Sequence, residues 1–139
     1  MRIEGIYIKE GKHWVISIPE IALFTQGKSK KDAFFMIQDA IQELLGDLDF
    51  KAEIEDLGDG RFHFVAEDSA RFFAFVLKQG RLANNMTHEN ARKKIGAKSR
   101  SEFSTYEKGK TDPTLSKACK LLEAMGMSIV VVPQIKKRA

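Results

Sequence analysis

The stretch Ser99-Arg100-Ser101-Glu102-Phe103-Ser104-Thr105-Tyr106-Glu107-Lys108-Gly109 decides how the second half of the chain folds. Ser99 and Glu102 have the spacing of a capping box, so a helix starts at Ser99. It runs to about Lys108, and Gly109 ends it. Phe103 and Tyr106 lie three apart and face a core, which leaves a small, polar N-terminal end. Just before it, Thr87 opens a short helix through Ile95, and Gly96-Ala97-Lys98 makes a tight turn. Further upstream, Asp68 or Ser69 caps a helix carrying Phe72, Phe73, Val76 and Leu77, which breaks at Asn84-Asn85. Downstream, Pro113 and Thr114 open a fourth helix with Leu115, Ala118, Leu121, Leu122 and Met125 on one face, closed by Gly126.

Four short helices with a tight turn between the second and third have the shape of a helix-turn-helix unit. In that arrangement the start of the third helix enters the major groove, where base edges are exposed. Arg100 is the candidate for a bidentate guanine contact, with Ser99, Ser101, Ser104 and Thr105 beside it. Lys98, Lys108 and Lys110 flank the helix and suit phosphates, as do the free amides near Thr87 and Ser99. Glu102 would repel phosphate unless it accepts from a cytosine amino group or is taken up by the helix cap, and the cap is the preferred role.

Charge sharpens this reading. Residues 1–67 carry 8 Lys/Arg against 13 Asp/Glu, and residues 68–139 carry 15 against 6, a net of −5 beside +9. The basic half suits a polyanion, whereas the acidic half suits a basic protein. DNA binding is preferred to a merely solvated bundle because charge, helix order and turn spacing agree.

The first half alternates with period two. Ile6 and Ile8 alternate with Gly5 and Tyr7, Gly11 follows, and Trp14, Ile16 and Ile18 form the second arm of a hairpin stopped by Pro19. Leu23 to Gln26 adds a short third strand. Ser29 caps a helix to Leu45, stopped by Gly46, with Ala33, Phe34, Ile37, Ala40, Ile41, Leu44 and Leu45 at helical spacing. Phe50, Ala52 and Ile54, the Gly58-Asp59-Gly60 turn, and Phe62 and Phe64 make a second hairpin. The fold expected is α+β: a β-β-β-α-β(β) unit over 1–67, then an all-α helix-turn-helix bundle over 68–139. Asp47, Asp49, Glu53 and Glu55 gather on one surface as a candidate docking face, with Phe35 and Met36 off the helix stripe as an apolar patch or a widened core face.

Two resemblances follow from these residues. Thr87-His88-Glu89-Asn90-Ala91, Ile95-Gly96 and Ser99 through Thr114 resemble the Xre/Cro-type helix-turn-helix family, where T-Q-x-E-L-A precedes S-x-x-x-I-S-x-x-E-x-G and x-P. The turn holds one residue more than usual, Lys98 being the extra one, which leaves the recognition-helix register open by about one position. Trp14 through Ile21, Thr25 through Ala33 and Ala40-Ile41 resemble the HicB antitoxin family, W-x-x-x-x-P-E-L-P-G, T-x-G-D-T-x-E-E-A and A-I. This chain departs from that pattern at Ala22, Phe24 and Lys28. The second resemblance implies a degenerate ribonuclease-H-like N-terminal unit that covers a small, basic, RNA-cleaving HicA-like toxin. It also implies that the C-terminal unit represses the shared operon by binding double-stranded operator DNA, and that the protein forms dimers or higher oligomers.

Met127–Val132 is a β-branched run without a sequential partner, and pairing with the same run of a second chain would make a two-fold dimer. Packing back on the N-terminal sheet is the alternative. A basic tail, Lys136-Lys137-Arg138, follows. His13, His63 and His88 stand isolated, Cys119 is single, and neither a metal-ligand spacing nor a glycine-rich phosphate loop appears. No catalytic residue, metal or cofactor is therefore expected. An active nuclease, resting on Glu4 or Glu53, and a stand-alone repressor whose first domain senses a ligand or another protein are the competing functions. Neither a membrane-length apolar run nor a signal-peptide core at Met1-Arg2-Ile3-Glu4 is present, so a cytoplasmic protein without membrane contact is expected.

Overall fold

The computed structural model describes residues 1–136; Lys137 and Arg138 of the expected basic tail lie outside the described residues. Strands β1 (Arg2–Glu10), β2 (His13–Ile18), β3 (Leu23–Gly27), β4 (Ala52–Asp56) and β5 (Arg61–Ala66) form one sheet in the order β3-β2-β1-β5-β4. Every neighbouring pair is antiparallel. Helix α1 (Lys30–Leu45) covers one face, burying Ala33, Ile37 and Ile41 against Tyr7, Ile16, Ile18, Phe62 and Phe64. The α+β class and the β-β-β-α-β-β order are those read from the pattern.

The pleat assigns the faces differently on β1. Tyr7 stands opposite Ile16 and points into the core, so Ile6 and Ile8 fall on the outer, exposed face. Gly5 is inward because its neighbours leave no room: a Cβ there would overlap the Phe62 ring and approach Ser17 O to 2.7 Å. Phe24 of edge strand β3 is also outward and 77% exposed. On the second hairpin β4 begins at Ala52, and Phe50 is buried just ahead of it.

Local chemistry fixes α1. Ser29 Oγ accepts from Asp32 N at 3.0 Å, and the Asp32 carboxylate accepts from Lys28 N at 2.9 Å. Gly46 closes the helix in the left-handed region (φ 67°). At its start, Gly27 touches the backbone of Ala33, where any side chain would collide. Lys30 Nζ meets Asp56 Oδ2 at 2.9 Å, and Tyr7 Oη donates to Asp56 Oδ1 at 2.6 Å, tying helix, first strand and last hairpin together.

Helix α2 (Ser69–Ala83), capped by Asp68, serves both halves. Phe72 lies 5.3 Å from Phe64 and 6.3 Å from Phe50, ring centroid to centroid. Further along, Leu77, Gly80 and Arg81 are buried in a bundle with α3 (His88–Ile95), α4 (Arg100–Glu107) and α5 (Leu115–Ala124). One hydrophobic cluster consequently runs from Tyr7 to Met125. On α5 the expected apolar stripe holds at Ala118, Leu121 and Leu122, but Leu115 is 64% exposed because it opens the first turn beyond the bundle.

Within the protomer residues 127–132 form no strand; the pairing expected there is one between two chains. Met127 and Ile129 pack against the core, whereas Val130, Val131 and Val132 are exposed. The segment borders a groove with Met1–Glu4, His63, Phe73 and Val76, but makes no ladder with the sheet. A ladder requires a strand neighbour, and none of the described residues supplies one.

The hydrogen bonds from Lys30 and Tyr7 pull the Asp56 carboxyl from its ordinary 3.8 down to about 2. A lowered folded-state pKa stabilises the fold above about pH 3.8, and that contribution fades as the pH falls towards 2. Asp56→Asn is therefore expected to lower the melting temperature at pH 7, with the gap to the parent protein closing on acidification. A gap that stays constant between pH 7 and pH 3 in circular-dichroism melts would contradict this.

Candidate nucleic-acid interface

The interface is built on two caps and a turn. Thr87 Oγ1 accepts from Asn90 N at 3.1 Å and starts α3. Gly96, left-handed at φ 69°, stops it, with Ala97 N donating to Arg92 O at 3.0 Å. Ala97 is buried, so the turn is pinned to the bundle. Ser99 Oγ then accepts from Glu102 N at 3.3 Å, while Glu102 Oε2 accepts from Lys98 N at 2.9 Å. The capping box expected at Ser99 forms with its return bond one residue upstream, and Glu102 is taken up by it. These bonds settle the register that the longer turn left open: Ser99 is the N-cap and Arg100 the first residue of α4.

Phe103 is fully buried and Tyr106 half-buried, so α4 turns these two inward. Ser101 and Lys108 are exposed and Ser104 and Thr105 partly so, on the opposite arc. The Thr105 hydroxyl is engaged, donating to Glu102 O at 2.7 Å, and Ser99 and Ser101 Oγ lie 2.8 Å apart. Arg100 is 75% exposed, and its Nε stands 3.7 Å from Glu89 Oε2 on α3. Lys98 is exposed in the turn, and Lys110 follows the C-terminal end of α4. The structure thus brings Lys98, Ser99, Arg100 and Ser101 to one corner, and spaces Ser104, Thr105, Lys108 and Lys110 along and beyond the helix.

Sequence reading missed the groups that hold this corner. Lys93 and Lys94, exposed in the last turn of α3, extend the cationic surface next to Lys98. Arg92 clasps Glu89 through Nε (3.0 Å) and Nη2 (2.6 Å) and reaches Ala97 O through Nη1 (2.8 Å). Its guanidinium holds the Glu89 carboxyl below its ordinary range. Behind α4, the Glu107 carboxylate accepts from Arg81 Nε and, at 3.3 Å, from Arg81 Nη2, and lies 2.9 Å from His88 Nε2. Arg81 Nη1 donates to Met86 O at 2.8 Å. The Arg81 and Glu107 side chains are only 8% and 5% exposed. The signal was present: Arg81 falls four residues after Leu77, on a face otherwise apolar.

The acidic face is less uniform than its sequence. Glu53 and Glu55 lie on the outer side of β4, as expected, but Glu55 meets His63 Nδ1 at 3.3 Å and Arg2 at 3.8 Å. Asp47 is bound by Arg71 of α2, which lowers its pKa. Asp49 and Glu53 rim a groove of about 570 Å³ between α1 and β4, lined also by Gln38, Gln42, Leu48 and Glu67. Phe35, 65% exposed, shares the Gln38–Gln42 side of α1; Met36 is half-buried and belongs to another side of the helix. The six candidate docking residues therefore do not make one patch. Among the described residues no group of three or more His, Cys, Asp or Glu is placed to hold a metal ion.

Residues 77–132 match the protein family described as Helix-turn-helix. The match starts inside α2 and takes in the turn, α4 and α5. It supports a DNA-binding transcriptional regulator. No curated protein matches the chain. No helix among the described residues is long and apolar enough to cross a membrane.

Breaking a buried pair on one side strands the other charge and costs about 3–5 kcal/mol. Glu107→Gln, which leaves Arg81 buried against a neutral amide, is expected to destabilise the protein by an amount of that order in urea unfolding. A loss under about 1 kcal/mol, within the range of a surface pair, would show that the Arg81–Glu107 clip does not hold α4.

Proposed function

We propose that the protein is a repressor that binds operator DNA through α4 while its sheet unit captures a small basic protein, the arrangement of a type II antitoxin that neutralises a HicA-like, mRNA-cleaving toxin and represses its own operon. On this reading the N-terminal unit is a degenerate ribonuclease-H-like toxin-binding domain over 1–67, the DNA-binding domain spans 68–139, and neither domain is an enzyme. The observation that carries it is the placement of the charge split. Lys93, Lys94, Lys98 and Arg100 gather at the helix-turn-helix corner, whereas Asp49, Glu53 and Glu67 rim the α1–β4 groove beside exposed Leu48 and Phe35. Apolar contact inside an acidic rim suits a basic protein surface.

Lys98, Ser99, Arg100, Ser101, Ser104, Thr105, Lys108 and Lys110 are the proposed DNA contacts, and the Arg100 guanidinium is the proposed base reader. Of the six docking candidates, Asp49 and Glu53 line the groove and Phe35 is exposed on the same side of α1 as Gln38 and Gln42; Asp47 and Glu55 act mainly in intramolecular pairs. Exposed Val130, Val131 and Val132, without ladder partners in the protomer, are the proposed contact between two copies. The groove volume also lies in the range of small-molecule sites, which favours a ligand-sensing repressor as the second reading.

Two measurements test these proposals. Glu53→Lys is expected to weaken capture of a small basic protein encoded beside this chain's gene by tenfold or more, about 1.4 kcal/mol, while leaving DNA retention intact. Equal capture by both proteins would remove the groove from the interface. Val131→Glu is expected to convert a dimer into a monomer in sedimentation equilibrium, and an unchanged mass would refute pairing through 127–132.

A further inference from the structure

Reading α4 as the helix that contacts bases leaves one acid unaccounted for. Glu89 sits on α3 beside Arg92, Lys93 and Arg100, and on that reading this surface faces phosphates, where a carboxylate weakens binding. The α3 cap does not need it, since Thr87 and Asn90 form the capping box themselves. Both of its oxygens accept from Arg92, at 3.0 Å and 2.6 Å, and Oε2 also stands 3.7 Å from Arg100 Nε. The remaining Arg92 contact, Nη1 to Ala97 O at 2.8 Å, closes on the turn. A continuous strut thus runs from the turn carbonyl through Arg92 and Glu89 to the first residue of α4.

We propose that Glu89 is the positioning residue for Arg100 and through it a determinant of DNA sequence specificity. The inference rests on the DNA-binding reading of α4. Glu89 faces the Nε edge of the guanidinium, which leaves the two Nη groups to present the end-on fork that matches guanine O6 and N7. A free arginine loses much rotamer entropy when fixed on a base, and one already restrained loses less. The same restraint discourages Arg100 from swinging to a phosphate, which lowers binding to unrelated sequences. Specificity, a difference between two affinities, gains from both effects. Clasping by Arg92 keeps Glu89 oriented, so an exposed pair that would be weak alone acts as part of a network.

The test uses the full chain and a duplex that it selects from a random-sequence library, with a scrambled duplex as reference. Glu89→Gln is expected to weaken the selected duplex about fivefold to twentyfold, a fraction of what one bidentate contact is worth. Retention of the scrambled duplex is expected to be unchanged or increased. Arg100→Lys keeps the charge but loses the fork, and should also weaken the selected duplex. The double variant should then bind no worse than Arg100→Lys alone, because Glu89 acts through Arg100. Equal loss on both duplexes would overturn the proposal, and so would effects that multiply in the double variant. General unfolding by Glu89→Gln would show as such multiplication. Selection that enriches no sequence would sink the DNA reading itself, whereas enrichment with multiplying effects sinks only the role of Glu89.

Discussion

The Glu107 carboxylate ties three helices at one point. It accepts from Arg81 on α2 and contacts His88 on α3, from the last turn of α4. Phe103, one turn earlier, is fully buried and lies 6.2 Å from the His88 ring. Together these contacts fix how α4 rolls about its axis, and that roll decides which residues face outward. Were the roll to change by one residue, Ser101 and Lys108 would exchange places with groups now turned inward. The polar pair alone adds little net stability against an apolar replacement. Its effect is directional, since a planar guanidinium and a carboxylate meet well in few geometries.

The cationic corner and the acidic groove lie on different elements, and the charge separation along the sequence is retained in space. On the proposed reading, polyanion and basic protein approach without competing for the same side chains. Ion pairs within and between the halves also shape the local field. Arg71 neutralises Asp47, Arg61 meets both Glu4 and Asp59, and Glu89 lies between Arg92 and Arg100. Of these, the Arg71–Asp47 pair offsets charge between the two halves.

Most elements were legible because local chemistry and periodicity agreed. Ser29, Asp68, Thr87, Ser99 and Thr114 each cap the helix that follows, and each is recognisable from sequence alone. Position along the pleat was harder. Ile6 and Ile8 look like core residues, yet Tyr7 takes the interior because it can reach Asp56 at the rim. The long-range ion pairs, Arg81–Glu107 and Lys30–Asp56, carry no signature at fixed spacing and needed the fold. At the interface, sequence located the corner and its cap, but not that Thr105 spends its hydroxyl on the backbone or that Glu89 crowds Arg100. Residues 127–132 depend on a neighbour that sequence alone does not supply: within the protomer no strand lies beside this β-branched run, and it joins no ladder.

Helix α2 has an evolutionary implication. Its first turns carry Phe72 against Phe50 and Phe64, with Phe75 stacked beside Phe72, and its last turns carry Leu77 and Arg81 into the bundle. A recombination event that fused this bundle to a foreign N-terminal module would bring the aromatic face along, with nothing to receive it. Cutting after the aromatic turns would instead uncap the bundle. The first junction exposes large rings to water and the second opens the helical core, so the two halves are inherited most readily as a unit. New specificities are easier to reach by substitution along α4 than by exchanging whole modules.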